Sequence, residues 1–377
     1  MRTFMYSLLA VGAVSTLALT AGVAHAQDIN IATAGPMTGQ NAAFGEQLKR
    51  GAEAAVADIN AAGGVTGKKL KLEVGDDACD PKQAVAVANQ LSGKKVSFVA
   101  GHFCSGSSIP ASAVYAENNI LMISPASTNP ALTDQAASKG WKNVFRTCGR
   151  DDIQGTYAGK WLAKTYTGKG VAVIHDKSAY GKGLADETKK AMNAAGVKEA
   201  MYESITAGDK DFSALISKMK AANIEAIYFG GYHTEAGLII RQAAEQGLKA
   251  QFVGADSLVT DELWKIAGPA ANGVLMTFNP DPRENPKAKD VVAKFKSQGY
   301  DPEGYTLLSY AAVQVWGQAA AKAGSIDTAK VGDALRGGTF DTVIGPLSFD
   351  AKGDLKNPEY VFYIWKDGKY AEDKSKM

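Results

Sequence analysis

Short apolar segments alternate with amphipathic segments along most of the chain. The run at residues 29–32 predicts a strand, and the apolar positions between 48 and 59 recur at the spacing of one helix face. Gly63 and Gly64 follow, where a helix end favours residues that tolerate left-handed backbone. Strand, helix and strand in this order make a βαβ unit, and repeated units build a parallel sheet with helices on both faces.

The alternation forms two units of similar size. The first unit continues with predicted strands at 70–74, 96–100 and 120–123 and a predicted helix at 82–91. The second unit starts after Arg146. Its predicted strands lie at 171–174, 201–205, 227–229, 252–253 and 274–278, and its predicted helices lie at 184–195, 212–222, 238–246 and 263–267.

The pattern changes after the Asn-Pro-Asp-Pro segment at 279–282. A helix-rich stretch follows, and the chain ends with two predicted strands joined to a turn. The predicted helices lie at 288–297, 306–323 and 329–335, the strands at 343–349 and 360–365, and the turn at 366–368. The sequence therefore predicts an α/β protein of two lobes with extra elements at the C-terminus.

The N-terminus has the features of a secretory signal peptide. Arg2 precedes an uncharged, mostly apolar run at 8–19, and Ala24-His25-Ala26 fits the small-x-small cleavage rule. The apolar run is shorter than the roughly 20 residues that a helix needs to cross a bilayer. We expect a signal peptide at residues 1–26, a mature chain that begins at Gln27 without a lipid anchor, and release into the periplasm.

Composition and charge narrow the class of protein. The chain has 377 residues, so about 350 remain after cleavage, which is more than one hydrophobic core usually holds. With 46% hydrophobic and 21% charged residues, the chain has the composition of a globular protein. Its formal net charge of +2 gives no electrostatic reason to expect nucleic acid or a membrane surface as a partner.

Common enzyme motifs are absent from the sequence. It has no G-x-S-x-G elbow, H-E-x-x-H pair, Walker A loop or G-x-G-x-x-G loop. His102, His175 and His233 lie far apart, each beside a predicted strand end, where a histidine more often supports structure than binds a metal. We therefore expect a protein that is not an enzyme and has neither a metal nor a cofactor.

Three cysteines belong to the mature chain: Cys79, Cys104 and Cys148. In an oxidising compartment this number predicts one disulfide and one remaining thiol. The sequence leaves all three pairings open, and three buried thiols are the alternative.

Polar loops follow several predicted strands, at the sheet edge where open α/β sheets bind ligands. In the first lobe, 101–107 and 124–130 offer hydroxyls and backbone N–H groups near a helix start, which suits a carboxylate. In the second lobe, 230–232 and 254–256 end strands, and Asp256 is a candidate partner for an ammonium group. The same residue types also cap helices, so the loops alone leave ligand binding and capping equally open.

Longer segments resemble a known family. The segments at 76–89, 101–105, 175–177, 205–208 and 230–233 are similar to those of the bacterial leucine/isoleucine/valine-binding proteins, and the similarity extends over essentially the whole mature chain. The resemblance implies a periplasmic binding protein type I fold, with two Rossmann-like lobes and three hinge crossings. The first lobe would comprise 27–147 plus 280–345, and the second 148–279 plus 346–377.

The resemblance also implies a ligand site between the lobes. Ser105 and Thr128 would bind an α-carboxylate, while the Ala126 carbonyl, the Thr128 hydroxyl and Asp256 would bind an α-ammonium group. Ser127 lies in the same loop as Ala126 and Thr128 and is included in the site. The residues expected to form the wall of the side-chain pocket are Phe44, Phe103, Tyr180, Tyr232 and Tyr305. The disulfide of the family corresponds to Cys79 with Cys104.

Three residues depart from the family pattern. Asp256 stands where the family usually has a longer Glu, Phe44 replaces a Tyr, and Phe103 replaces a smaller aliphatic residue. We expect Phe103 to make the pocket shallower and to favour small ligands such as alanine, proline, valine or 4-aminobutyrate.

The resemblance implies a function in transport. We expect a monomeric periplasmic solute-binding protein of an ABC importer for branched-chain or other small neutral amino acids. Its partners would be an inner-membrane permease and ATPase subunits. A binding protein that serves a chemoreceptor and a secreted hydrolase are the alternatives.

Overall fold

A computed structural model describes residues 27–376. The predicted signal peptide at 1–26 lies outside the described residues. Within the described part, the strands form two large sheets and one small hairpin.

The first sheet is parallel and contains the N-terminal strands. Strands and helices alternate in this lobe: β1 (Ile29–Gly35), α1 (Ala42–Ala61), β2 (Leu70–Asp76), α2 (Pro81–Gly93), β3 (Phe98–Gly101), α3 (Ser105–Glu117), β4 (Leu121–Ser124), α4 (Ala131–Ser138) and β5 (Val144–Arg146). The strand order is β2-β1-β3-β4-β5, and Ile31 of β1 pairs with Leu72 and Phe98 on its two sides. Helices cover both faces, so the carboxyl ends of these strands meet at one edge.

The second sheet repeats the arrangement. Its elements are α5 (Asp151–Thr165), β6 (Gly170–His175), α6 (Ala179–Ala194), β7 (Met201–Ser204), α7 (Ser213–Ala221), β8 (Ile224–Gly230), α8 (His233–Glu245), β9 (Gln251–Gly254), α9 (Asp261–Ala267) and β10 (Leu275–Phe278). Parallel pairing joins β7, β6, β8, β9 and β10 in that order.

The C-terminal elements divide between the lobes. They are α10 (Lys289–Ser297), α11 (Thr306–Ala323), α12 (Thr328–Arg336), β11 (Thr339–Thr342), β12 (Gly345–Ser348), β13 (Val361–Lys366) and β14 (Lys369–Glu372). Trp316 of α11 stacks on Phe98 of β3 at 4.9 Å between ring centroids, so α11 belongs to the first core. β13 pairs antiparallel with β10, and β14 extends the second sheet further.

The chain thus passes between the lobes after β5, after β10 and before β13. This is the α/β fold of two lobes that the sequence pattern predicted, with the three crossings that the resemblance implied. The boundaries expected at 147, 279 and 345 stay predictions.

Some elements differ from the sequence pattern. The strand expected at 343–349 is the shorter β12, and β11 precedes it as a hairpin partner that was not predicted. The Thr342 hydroxyl donates to the Gly345 carbonyl and closes the turn between them. Helix α5 was also missed. It lies close to α6 because Gly159 has no side chain there: a Cβ would meet the Thr188 carbonyl oxygen at 2.5 Å.

The cysteine pairing follows the resemblance. Cys79 and Cys104 form a disulfide with a Cα–Cα distance of 5.6 Å, and Cys148 is a buried free thiol. The bond ties the segment after β2 to the start of α3. None of the helices within 27–376 is both long enough and apolar enough to cross a membrane.

Candidate ligand-binding site

A small cavity lies between the lobes at the carboxyl ends of both sheets. Its lining residues are Phe103, Ser105, Ala126, Tyr180, Tyr232, Asp256, Ser257 and Tyr305. The cavity volume is about 10 Å³, which is about enough for one water molecule. The side chains of the two lobes therefore contact one another, and a ligand the size of an amino acid requires them to move apart.

The first-lobe face of the cavity is a hydroxyl-rich surface. Ser105 is the first residue of α3, and its hydroxyl accepts a hydrogen bond from the Asn129 backbone N–H at 3.2 Å. Ser127 follows β4, and its hydroxyl donates to the Phe103 carbonyl at 2.9 Å. The start of α3 adds the positive end of a helix dipole, which favours an anionic group.

A buried arginine, Arg146, binds the backbone of the loop at residues 127–129. Arg146, at the end of β5, donates to the Ser127 carbonyl at 2.7 Å and to the Asn129 carbonyl at 3.2 Å. Its charge is balanced by Asp354, whose carboxylate lies 2.7 Å from the guanidinium Nε. The Ser127 and Asn129 carbonyls are therefore held within the first lobe, whereas the Thr128 carbonyl accepts a hydrogen bond from the Asp151 backbone N–H of the second lobe at 3.0 Å.

The loop after β3 is supported by a buried chain of side chains. The His102 ring lies 2.6 Å from the Asp77 carboxylate through Nδ1 and 2.8 Å from the Tyr115 hydroxyl through Nε2. The Ser124 hydroxyl donates to the His102 carbonyl at 2.7 Å. His102 is therefore a structural hydrogen-bonding residue, as its position beside a strand end indicated.

The second-lobe face contributes the acid. Asp256 follows β9 and is 3% exposed. Its Oδ1 accepts hydrogen bonds from the Tyr180 hydroxyl at 2.8 Å and the Gln154 amide at 3.0 Å, and its Oδ2 accepts one from the Tyr305 hydroxyl. Tyr305 precedes α11 and belongs to the first lobe, so the acid joins groups from both lobes.

Burial raises the pKa of Asp256, because the charged form has lost water. The hydrogen bonds from Tyr305, Tyr180 and Gln154 lower the pKa and offset part of that rise. An ammonium group brought beside this carboxylate would lower its pKa and favour its charged form, because an opposite charge at short range stabilises a carboxylate that has lost its water.

A second buried carboxylate lies nearby. Asp151 is the first residue of α5 and is 0% exposed. Neither of its oxygens has a good hydrogen bond among the described residues, although the Thr128 hydroxyl lies nearby and is also unpartnered. Burial raises the pKa of Asp151 well above its usual value, and the charge of Asp256 adds to the rise.

Aromatic rings form the apolar wall. Phe44 of α1 stacks on Phe103 with 4.4 Å between ring centroids, and Tyr305 meets Phe103 edge-on at 4.9 Å. From the second lobe, the rings of Tyr180 and Tyr232 lie 5.2 Å apart, and Tyr232 approaches Phe103 at 6.3 Å. Apolar walls with a few convergent polar groups are typical of small-molecule sites.

The structure gathers most of the residues that the sequence singled out. Seven of them line the cavity itself: Phe103, Ser105, Ala126, Tyr180, Tyr232, Asp256 and Tyr305. Phe44 stacks on the ring of Phe103, Ser127 donates to the Phe103 carbonyl, and Thr128 is buried beside Asp151.

Four residues with a place at or beside the site were missed. They are Asp151, Gln154, Arg146 and Ser257. Asp151 and Asp152 stand in the first turn of α5, followed closely by Gln154. This pattern was only a weak indication of a binding site, because acids are common in the first turn of a helix.

The arrangement suits a small zwitterion. One face offers hydroxyls and a helix start to a carboxylate, the other offers Asp256 to an ammonium group, and rings lie between them. Each buried charge of a ligand needs such fixed partners, because an unpaired charge out of water is costly. Within 27–376, His, Cys, Asp and Glu side chains form no group of three or more that could hold a metal ion.

Known proteins share this fold and sequence. A sequence profile of the Periplasmic binding protein family matches residues 28–369. The Leu/Ile/Val-binding protein homolog 1 of Brucella suis biovar 1 is 52% identical over 374 residues, covering 98% of this chain and 99% of that protein. The leucine-, isoleucine-, valine-, threonine- and alanine-binding protein of Pseudomonas aeruginosa is 47% identical over 351 residues, covering 93% of each chain.

A solved structure agrees at the level of the fold. The branched-chain amino acid transporter substrate binding protein LivJ of Streptococcus pneumoniae, in complex with isoleucine, superposes with a TM-score of 0.82 at 28% identity. The match covers 92% of this chain and 99% of that one. The chain is a binding protein that belongs to the periplasmic binding protein family and, within it, to the Leu/Ile/Val-binding protein homologs.

Proposed function

We propose that the chain is the solute-binding component of an ABC importer for branched-chain and other small neutral amino acids. It captures a zwitterion between its lobes and delivers it to a permease. The observation that carries this proposal is the position of Asp256 opposite the hydroxyl face of Ser105 and Ser127, with aromatic walls between.

In the proposed binding mode, the carboxylate of the ligand contacts the first lobe and its ammonium group contacts both lobes. Ser105 and the Thr128 N–H and hydroxyl bind the α-carboxylate, while Asp256 and the Ala126 carbonyl bind the α-ammonium group. A ligand that bridges both lobes favours the closed arrangement over the open one, and the permease can read that difference.

The relatives support this ligand class. The proteins from Brucella suis and Pseudomonas aeruginosa are named for binding leucine, isoleucine and valine, and the LivJ structure contains isoleucine. The name of the Pseudomonas aeruginosa protein also includes threonine and alanine.

A preference for the smaller members of this class is the second candidate. Phe103 stacks on Phe44 and meets Tyr305 edge-on at the apolar side of the cavity, and in the proposed binding mode these rings limit the space for an aliphatic ligand side chain. This packing favours alanine, proline, valine or 4-aminobutyrate over leucine. The two candidates share the recognition of a zwitterion and differ in the ranking of ligands.

Titration calorimetry on the mature chain tests both candidates. The chain is first unfolded, dialysed and refolded to remove any bound amino acid, and a panel from alanine to leucine is then titrated. We expect one-to-one binding with a Kd of about 1 μM or tighter, or about −8 kcal/mol. Failure of every α-amino and short ω-amino acid to bind or to raise the melting temperature would exclude the proposal.

The periplasmic location is part of the same proposal. The signal peptide at 1–26 predicts a mature protein that begins at Gln27 and is recovered from the periplasmic fraction. Deleting the gene should reduce amino-acid uptake. Intact uptake together with lost chemotaxis towards the ligand would favour the chemoreceptor alternative.

A further inference from the structure

We propose that Glu303 is a positioning residue that joins the two lobes when they close and thereby sets ligand affinity, an inference that rests on the proposed function. Glu303 lies two residues before Tyr305 and does not line the cavity itself. We call the contacts that its carboxylate makes the Glu303 clasp.

The clasp has donors from both lobes. Glu303 Oε1 accepts hydrogen bonds from the Gln47 amide and the Thr260 hydroxyl, both at 3.3 Å. Its Oε2 accepts from the Asp261 backbone N–H at 3.1 Å and the Tyr370 hydroxyl at 3.2 Å. Gln47 lies on α1 of the first lobe, whereas the other three donors belong to the second lobe. Opening the cleft must therefore break three hydrogen bonds at one carboxylate.

The clasp is coupled to the ligand site through Gln47 and Tyr305. The Gln47 side-chain oxygen accepts a hydrogen bond from the Tyr305 backbone N–H at 3.0 Å. Gly304 permits this close approach, because its φ is +53° and a Cβ there would meet that oxygen at 2.5 Å. Tyr305 in turn donates its hydroxyl to Asp256. The clasp thus fixes the residue that completes the ammonium side of the cavity.

Burial, and after it charged neighbours, make the clasp sensitive to protonation. Tyr300 and Tyr370 are the titratable groups beside Glu303, and the charged groups that act on the clasp residues are Asp261, Glu262, Lys265, Asp281, Arg283 and Asp301. Burial, and then the charge of Asp261, raise the pKa of Glu303 to about 7, against the opposing effect of its hydrogen bonds.

The direction of the pH effect follows from this shift. When the lobes separate, the carboxylate regains water and its pKa returns towards about 4.3. The closed form then binds more protons than the open form between these two values, so closure is favoured as pH falls through about 7. We expect ligand affinity to be about ten-fold tighter at pH 6 than at pH 8 through this group.

Two substitutions test the inference by calorimetry and stopped-flow at pH 6 and pH 8. Glu303→Ala leaves three second-lobe donors unpaired on closure, so we expect about ten-fold weaker binding at pH 6, mostly through faster dissociation. Glu303→Gln resembles the protonated acid. It should stay within about three-fold of the wild type at pH 6 and lose the pH dependence. Glu117→Gln, on an exposed residue of α3, is the matched control.

A measurement without ligand separates this inference from the proposed function. Small-angle scattering should show a more compact wild type at pH 6 than at pH 8, and Glu303→Gln equally compact at both. If both variants keep the compaction of the wild type and its ratio of affinities at pH 6 and pH 8, the proposed role of Glu303 is wrong even when amino acids bind. If no amino acid binds the wild type, the proposed function is wrong, and the scattering comparison still tests whether Glu303 joins the two lobes.

Discussion

The two faces of the cleft are built in different ways. On the first-lobe face, the polar groups are held by their own lobe: Ser127 by the Phe103 carbonyl and Arg146, and Ser105 by Asn129. On the second-lobe face, Asp256 depends on both lobes, since Tyr305 comes from the first. The Ser105 and Ser127 hydroxyls are therefore positioned before the lobes meet, although the Thr128 carbonyl also accepts a hydrogen bond from Asp151 of the second lobe. The second face is completed by closure.

This difference assigns separate tasks to the faces. A preformed face binds a ligand carboxylate at low entropic cost, because its groups are already ordered. The Asp256 carboxylate gains its first-lobe partner, the Tyr305 hydroxyl, only when the cleft closes. A ligand should therefore dock on the first lobe and gain its remaining affinity from the second.

The largest effect should come from the disulfide that anchors the first face. Replacing both Cys79 and Cys104 by Ser opens a loop with a sequence separation of 25 residues. The chain-entropy description gives a loss of roughly 3.5 kcal/mol in the free energy of unfolding. Urea unfolding of the double variant measures the loss, with Cys148→Ser as the control. An unchanged midpoint would show that the first face is held by its hydrogen bonds alone.

The next largest effect should come from the second-lobe face, where Asp256 lies. Asp256→Ala leaves a desolvated ligand ammonium group without its acid, so we expect affinity to fall by about 2 kcal/mol or more, roughly thirty-fold. Calorimetry with the tightest ligand of the panel measures this. Asp290→Ala, on an exposed residue of α10, is the control. Unchanged affinity would mean that Asp151 or another group takes the ammonium.

A smaller effect concerns the ranking of ligands. Phe103→Leu removes the ring that stacks on Phe44, so leucine should gain about ten-fold relative to alanine, within the 1–3 kcal/mol that a methylene contributes in a pocket. Phe349→Leu is the control, because Phe349 is fully buried in the first core away from the cleft. Calorimetry gives the ratio of the Kd values for leucine and alanine. An unchanged ratio would show that Phe103 does not limit the size of the ligand.

The fold was predictable because its signal is local and repeated. Apolar runs such as β1 and β6 are buried on both faces, and α1 carries a clear apolar stripe. Helix α5 lacks such a signal, since small residues let it approach α6 closely. The hairpin of β11 and β12 was also missed, because its turn depends on one side chain, Thr342.

The site was predictable as far as topology and resemblance determine it. Loops at strand ends and Asp256 follow from the rule that ligands bind at the carboxyl edge of the sheet. The hydrogen-bond partners of these groups do not follow from that rule. Gln154 reaches Asp256 from 102 residues away, and Glu303 meets Gln47 across 256 residues. Such pairings arise only from tertiary packing, and a single sequence carries no periodic trace of them.

The smallest effect should test whether the first face is truly preformed. Ser127→Ala removes the hydroxyl that donates to the Phe103 carbonyl, 2.9 Å away, and leaves that buried oxygen without this donor. We expect a loss of about 1 kcal/mol both in stability and in ligand affinity, because the loop loosens in the free protein as well as in the complex. Ser138→Ala, at the exposed end of α4, is the control.

The kinetics of Ser127→Ala separate the two faces. If the first face is preformed, loosening it slows association, whereas Asp256→Ala acts after docking and speeds dissociation. Stopped-flow fluorescence on both variants measures the two rate constants. A Ser127→Ala variant that changed only the dissociation rate would place both faces in the closing step, and the distinction between them would not hold.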